Sequence, residues 1–87
     1  MKIIKRNGSE AVFDSGKILT AIGKANSVVS DAERLTDAQI EVIVKNVTDQ
    51  CKEALRAVNV EEIQDMVEDQ LMASGAYMVA RRYITYR

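Results

Sequence analysis

Positively charged side chains gather at both ends of the sequence, and together they could bind a polyphosphate. Lys5 and Arg6 stand near the start, Lys17 follows eleven residues after Arg6, and residues 80–87 add three arginines and two tyrosines. A phosphate group keeps its charge in a binding site, so its oxygens need cations or hydrogen-bond donors to replace the water they lose. These residue types indicate an anion site, provided that folding brings the two ends of the chain together.

Asp14 is the residue that fits such a site least well. A carboxylate repels phosphates unless it has another task, and three tasks are open: capping the next helix, hydrogen-bonding a ribose hydroxyl, or helping to hold Mg²⁺. Lysines and arginines beside an exposed hairpin are also more often simply solvated, and Tyr83 and Tyr86 could serve only to pack the last helix. The residue types alone leave these alternatives open.

A β-hairpin is predicted at the start of the chain. Residues 2–5 and 10–13 are short extended candidates. Asn7-Gly8 between them is typical of a two-residue turn in which both residues adopt positive φ. Lys5 shares a strand face with Ile3 because side chains alternate along a strand.

A first helix is predicted from about Gly16 to residues 27–30, with Asp14 or Ser15 as its N-cap. Ile18 begins its apolar stripe, which continues at helical spacing. Lys17 falls in the first turn, where unpaired amides and the positive end of the helix dipole favour anions. The hairpin and this helix would therefore present their cations to the same ligand.

Three more helices are predicted from capping patterns. Thr36 with Gln39 forms a capping box before a long amphipathic helix, and Asn59 repeats the pattern with Glu62 before a third. Ser74-Gly75 suits the end of the third helix, and a fourth should run from about residue 76. The prediction is a single α+β domain over residues 1–87, mainly α, with an N-terminal β-hairpin capping four helices.

Composition excludes several classes of function. The 87 residues contain no histidine and one cysteine, so neither a Ser-His or Cys-His catalytic pair nor a zinc site is expected. No apolar run is long enough for a membrane span and no signal segment is visible, which predicts a cytoplasmic protein. The formal charges are +3, −7 and +3 over residues 1–30, 31–70 and 71–87. An overall charge of −1 argues against nucleic-acid binding.

The order of several short motifs resembles the ATP-cone, a regulatory nucleotide-binding domain. The matching residues are Ile3-Ile4-Lys5-Arg6-Asn7-Gly8, Val12-Phe13-Asp14, Lys17-Ile18, Val60-Glu61-Glu62-Ile63-Gln64-Asp65, and Ala80-Arg81-Arg82-Tyr83-Ile84 with Tyr86-Arg87. Together they cover essentially the whole chain. They are most similar to the cone at the N-terminus of the anaerobic, class III ribonucleotide reductase large subunit.

The resemblance implies a site for ATP or dATP, accompanied by Mg²⁺. In the family the basic residues of the first turn and first helix hold the phosphates, while the residue before that helix and the start of the third helix approach the sugar and base. The last helix contributes further contacts. Carried over to this sequence, the site comprises Lys5, Arg6, Asp14, Lys17, Ile18, Val60, Gln64, Tyr83, Tyr86 and Arg87.

Two positions depart from the family pattern. The common Lys-Arg-Asp-Gly turn has Asn7 in place of the aspartate, and the acid that some cones carry after the turn has no match at Ala11. The first change keeps the turn and removes a negative charge near the phosphates. The second puts the contacts at that point in doubt.

The resemblance further implies a non-catalytic domain that regulates a longer reductase. Its expected partners are adenine nucleotides, the catalytic domain of the parent enzyme and other cones. The ATP-cone of a nucleotide-sensing transcriptional repressor is an alternative, although its four-cysteine zinc ribbon would precede the cone and Met1 here stands directly before the hairpin. A helical protein-interaction module is the other alternative.

Overall fold

Four helices and a small sheet make up the fold in a computed structural model, which describes residues 1–86 and leaves Arg87 outside the described residues. A 3-10 turn at Asp31–Glu33 lies between the first two helices. The elements are β1 (Lys2–Ile4), β2 (Glu10–Val12), α1 (Ser15–Ser27), α2 (Asp37–Glu53), β3 (Val58–Asn59), α3 (Val60–Ala73) and α4 (Tyr77–Tyr86). The predicted class, mainly α with an N-terminal hairpin, is confirmed.

The hairpin is confirmed, but its predicted two-residue turn is wrong. The Gly8 amide donates to the Lys5 carbonyl (2.9 Å) and the Lys5 amide donates to the Ser9 carbonyl (2.8 Å), so the loop is three residues long, Arg6 to Gly8. Gly8 has a φ of 85°. Every residue with positive φ within residues 1–86 is a glycine, so Asn7 does not adopt the positive φ that the predicted turn requires. One glycine in the left-handed region thus closes the loop, as in hairpins that combine a type I turn with a bulge.

A third strand, which the sequence patterns did not predict, completes the sheet. β3 pairs in parallel with β1, placing Ile3 opposite Val58 and Ile4 opposite Asn59, while β2 pairs antiparallel on the other side of β1. A strand of two residues is too short to show the alternation of apolar and polar side chains from which strands are predicted. The pairing fixes the hairpin directly beside the start of α3.

Local capping chemistry sets the start of the first three helices. Asp14 accepts a hydrogen bond from the Gly16 amide (2.9 Å). Of the two predicted caps, Asp14 rather than Ser15 is therefore the N-cap of α1. The predicted capping box of α2 is present in both directions, between Thr36 and Gln39. Asn59 accepts from the Glu62 amide (2.9 Å) at the start of α3. Each cap satisfies an amide that would otherwise have no partner in the first turn.

The helices form a closed ring around one apolar core, since α1 packs against α2 and α4, and α3 packs against the same two helices. The fully buried side chains include Ile22, Val47, Val67, Leu71 and Val79, so every helix contributes at least one. Burying a side chain of this size stabilises the fold by about 1.5–3 kcal/mol. Within residues 1–86 no helix is both long and apolar enough to cross a membrane.

Two glycines allow a matched test of this backbone. Gly23 lies inside α1 with nothing within 4 Å of an added Cβ, whereas Gly75 ends α3 with a φ of 76°. Gly23→Ala should raise the free energy of unfolding by about 1 kcal/mol through helix propensity. Gly75→Ala should lower it by about 1–2 kcal/mol, because L-residues are strained in the left-handed region. Urea unfolding followed by circular dichroism measures both, and changes of the same sign would contradict this account.

Candidate functional site

The hairpin, α1, α3 and α4 enclose a cavity of about 250 Å³, here called the inner cavity. Its walls are largely apolar, and polar side chains are few. Lys5 and Lys17 bring two cations, Gln64 brings an amide, and Asp14 brings the one carboxylate that lines it among the described residues. The apolar lining comes from Ile3, Ala11, Val12, Phe13, Ile18, Ala21, Val60, Ile63 and Tyr83.

Two further spaces adjoin the inner cavity, as their shared lining residues indicate. The turn space, of about 320 Å³, shares Lys5 and Val60 with the inner cavity and adds Ile4, Arg6, Gly8, Asn59 and Glu61. The helix space, of about 590 Å³, shares Asp14, Lys17 and Ala21 with it and adds Gly16, Thr20, Lys24 and Tyr86. The three spaces share these lining residues along the hairpin and α1 and are together called the cleft.

The charges along this cleft are mixed but predominantly positive. Four cations line it within the described residues, namely Lys5, Arg6, Lys17 and Lys24, against the carboxylates of Asp14 and Glu61. A cleft with an excess of one charge raises the local concentration of ligands of the opposite charge. The arrangement suits a ligand with an anionic part and an apolar part.

The position of Lys17 follows from the cap of α1. Asp14 bonds the Gly16 amide through its side chain, and the Lys17 amide lies 3.2 Å from the Asp14 carbonyl. Lys17 therefore stands in the first turn of the helix, beside its positive dipole end. Of the three tasks considered for Asp14, the structure shows helix capping.

The position of Val60 and Gln64 follows from Asn59, which is both the last residue of β3 and the N-cap of α3. Because β3 pairs with β1, the first turns of α3 lie alongside the hairpin. Arg6 reaches across this junction: its Nη2 lies 3.4 Å from Gln64 Oε1, and its Nε lies 4.0 Å from Glu61 Oε1. The hairpin loop and α3 are thus in direct polar contact.

Nine of the ten residues predicted for the site line the cleft, and Arg87 lies outside the described residues. Tyr83 is buried, with 5% of its surface exposed, and lines the inner cavity. Tyr86 is exposed and lines the helix space instead. The structure thus brings together residues that are up to 81 positions apart in the chain, from Lys5 to Tyr86.

Sequence reasoning missed four polar residues that line the cleft: Thr20, Lys24, Asn59 and Glu61. Lys24 follows Lys17 by seven residues, so helical periodicity could have placed both on one face. Asn59 had been assigned only as a cap. Glu61 lies in the first turn of α3, where the positive end of the helix dipole favours an acid, and no sequence signal connects it with Arg6.

Comparison with known proteins identifies the family. The family model described as "ATP cone domain" matches residues 1–87. The chain belongs to the ATP-cone family. The family that the motif order indicates is therefore confirmed, and it covers the same residues as the motifs.

Cones similar to this one occur in several reductases. The chain is 40% identical over 85 residues to the anaerobic ribonucleoside-triphosphate reductase of Haemophilus influenzae, with 98% of the chain covered. It is 33% identical over 95 residues to the ribonucleoside-diphosphate reductase subunit alpha of Chlamydia trachomatis serovar D. It is 38% identical over 96 residues to the vitamin B12-dependent ribonucleoside-diphosphate reductase of Thermoplasma acidophilum.

The cone spans only a small part of these relatives. The matched segment amounts to 12% of the Haemophilus protein, 9% of the Chlamydia protein and 11% of the Thermoplasma protein, while nearly the whole of this chain is covered in each case. The similarity therefore concerns the cone alone. The three relatives carry three different reductase names, so the cone does not by itself distinguish between those kinds of reductase.

An ion pair outside the cleft supports the start of α3. The Arg56 guanidinium donates to both carboxylate oxygens of Glu62, at 2.9 and 2.6 Å. Asn59 Nδ2 also donates to Glu62, at 2.8 Å. The Arg56 hydrogen bonds hold the pKa of Glu62 below its ordinary value of 4.5. This pair ties the loop before β3 to the helix that carries Val60 and Gln64.

The Glu62 pair should give the cone a defined pH dependence. A carboxylate whose pKa is lower in the folded state stabilises the fold above its unfolded pKa, and this contribution is lost as the pH falls through the folded pKa. Glu62→Gln should therefore lower the free energy of unfolding at pH 7, and the difference from wild type should shrink below pH 4.5. Urea unfolding between pH 7 and pH 3 measures it. Glu53→Gln, at the end of α2, is the control, and a difference independent of pH would contradict the ion-pair account.

Proposed function

We propose that this cone is the regulatory nucleotide-binding domain of a ribonucleotide reductase and that it takes ATP and dATP as allosteric effectors. The observation that carries the proposal is the cleft, in which cations from the hairpin and α1 meet an apolar cavity closed by α3 and α4. Membership of the ATP-cone family and the reductase names of its relatives support the same function.

The cleft accommodates the parts of a nucleoside triphosphate in a definite order. The phosphates would lie against Lys5, Arg6 and Lys17, near the amides at the start of α1. These groups supply hydrogen-bond donors and positive charge. The base would enter the inner cavity beside Ile18 and Val60. At about 250 Å³ the inner cavity is smaller than sites for whole ligands, about 300–1,000 Å³, so the phosphates would extend into the adjoining spaces.

The remaining predicted residues have roles consistent with this order. Gln64 is the amide that could hydrogen-bond the edge of the base, and Tyr83 forms part of the buried wall. Asp14 lines both the inner cavity and the helix space, and a ribose would lie beside it. Tyr86 would bound the far side of the helix space. Arg87 stays a predicted contact.

Magnesium would enter with the triphosphate. Within residues 1–86 no three carboxylate or cysteine side chains are grouped so that they could hold a metal ion. Mg²⁺ is commonly held by substrate phosphates, water and one or two carboxylates. Phosphate oxygens and water would therefore supply most of its coordination, with Asp14 as the neighbouring carboxylate in the cleft.

The proposed regulation depends on a small chemical difference. ATP and dATP differ by one ribose hydroxyl, which is worth about 1–2 kcal/mol if it meets a buried partner, or roughly tenfold in affinity. An effector shifts a conformational equilibrium only by its differential affinity for the two states. We propose that the states differ in how the cone packs on the catalytic part of its reductase or on other cones, in the cytoplasm. The motif resemblance and the 40% identity to the Haemophilus influenzae enzyme favour a reductase of the anaerobic kind.

Calorimetric titration tests the proposal directly. The chain should bind ATP and dATP saturably in the presence of Mg²⁺, and GTP should bind more weakly because its base presents different donors and acceptors to Gln64. The titration also gives the number of nucleotides per cone. A correctly folded chain that gives no binding heat with either adenine nucleotide would contradict the proposal.

Single cation removals test where the phosphates lie. Lys5→Ala and Lys17→Ala should each weaken ATP binding by roughly tenfold or more, since a charge-assisted hydrogen bond contributes about 1.5–3 kcal/mol. Neither change should unfold the chain, because both side chains are exposed. Lys52→Ala, an exposed lysine on α2 that does not line the cleft, is the matched control. Unchanged affinity in both cleft variants would remove the phosphate assignment.

A further inference from the structure

Arg6 stands at the tip of the hairpin, and its side chain is already engaged by α3. The guanidinium Nη2 lies 3.4 Å from Gln64 Oε1 and Nε lies 4.0 Å from Glu61 Oε1. Both distances are at the long end of their range, so these contacts are weak. The guanidinium therefore points towards α3 and is only weakly bound there.

Glu61 lines the turn space together with Lys5 and Arg6, where a carboxylate opposes anion binding. Glu61 takes no part in the cap of α3, whose interactions come from Asn59 and Glu62; its position in the first turn suits the helix dipole but does not account for its contact with Arg6. Its side chain is 72% exposed, and Arg6 is the cation that faces it across the junction of hairpin and helix. Of the two carboxylates along the described cleft, Asp14 caps α1, while Glu61 contacts the phosphate-binding candidate Arg6.

We propose that Glu61 is a positioning residue that competes with phosphate for Arg6. In the cone without nucleotide it directs the guanidinium towards α3, and a phosphate must displace it before Arg6 can bind. The phosphate prevails because a guanidinium can donate two parallel hydrogen bonds to phosphate oxygens, which is stronger than a long exposed ion pair. This inference rests on the proposed nucleotide binding and adds a residue that weakens it.

The expected size of the effect follows from the exposure of the pair. Ion pairs between exposed side chains contribute little, so releasing Arg6 from Glu61 should change affinity by only about two- to fivefold. The effect should appear for every nucleotide whose phosphates reach Arg6 and be absent for adenosine. Because the pair is exposed, the effect should also shrink as the salt concentration rises.

The test is calorimetric titration of Glu61→Gln with ATP, dATP and adenosine. We expect ATP and dATP to bind about two- to fivefold more tightly than to the wild-type chain, with adenosine unchanged. Asp69→Asn is the matched control: it makes the same change of charge on α3, eight residues or about 12 Å further along the helix. That distance exceeds the Debye length of about 8 Å at physiological salt, so Asp69→Asn should leave affinity unchanged.

A second experiment, in a chain that lacks Arg6, distinguishes competition for Arg6 from direct repulsion between Glu61 and the phosphates. In a chain carrying Arg6→Gln, the added Glu61→Gln change should give no further gain if Glu61 acts through Arg6. A gain of the same size in both backgrounds would overturn the proposal, since it would mean that Glu61 repels the phosphates directly.

The outcomes also separate this inference from the proposed function. If wild-type cone binds ATP and Glu61→Gln binds it no more tightly, the role of Glu61 is wrong and nucleotide binding stands. If folded wild-type, Glu61→Gln and Asp69→Asn chains all fail to bind ATP, the proposed function is wrong and this inference fails with it.

Discussion

The two-residue parallel pairing of β3 with β1 is the constraint on which the cleft depends. It places Ile3 opposite Val58 and Ile4 opposite Asn59, and Asn59 is also the cap of α3. No residue separates the strand from the helix, so the position of the hairpin fixes the position of the first turn of α3. Lys5 and Arg6 thereby line the same space as Val60 and Glu61.

The cleft combines two environments that would be costly to combine within a single element. The apolar wall is made by side chains that also belong to the core or pack against it, such as Ile18 and Tyr83. The cations stand on the hairpin and at the start of α1, where their charged ends remain in water until a ligand arrives. Burying cations without a partner is expensive, so a site at the rim of the core avoids that cost.

Local features of the fold could be predicted from the sequence, and long-range features could not. The caps of α1, α2 and α3 depend on side chains within three residues of the amides they bind, and such patterns are visible in a sequence. The hairpin was predicted, but its loop length was not, because Gly8 takes positive φ and Asn7 does not. β3 and the contact of Arg6 with Glu61 depend on pairing between distant segments, for which no local pattern exists. The site residues came from the order of family motifs rather than from their chemistry alone.

The sequence separation in the sheet has a consequence for folding. Ile3 and Val58 are 55 residues apart, and closing so long a loop costs entropy that helices, with their local bonds, do not require. Partly folded chains can therefore contain helices before the hairpin meets α3, and such chains have no complete cleft. Any ligand that bridges the hairpin and α3 binds only the native state. The free energy of unfolding of the domain therefore rises with the concentration of that ligand.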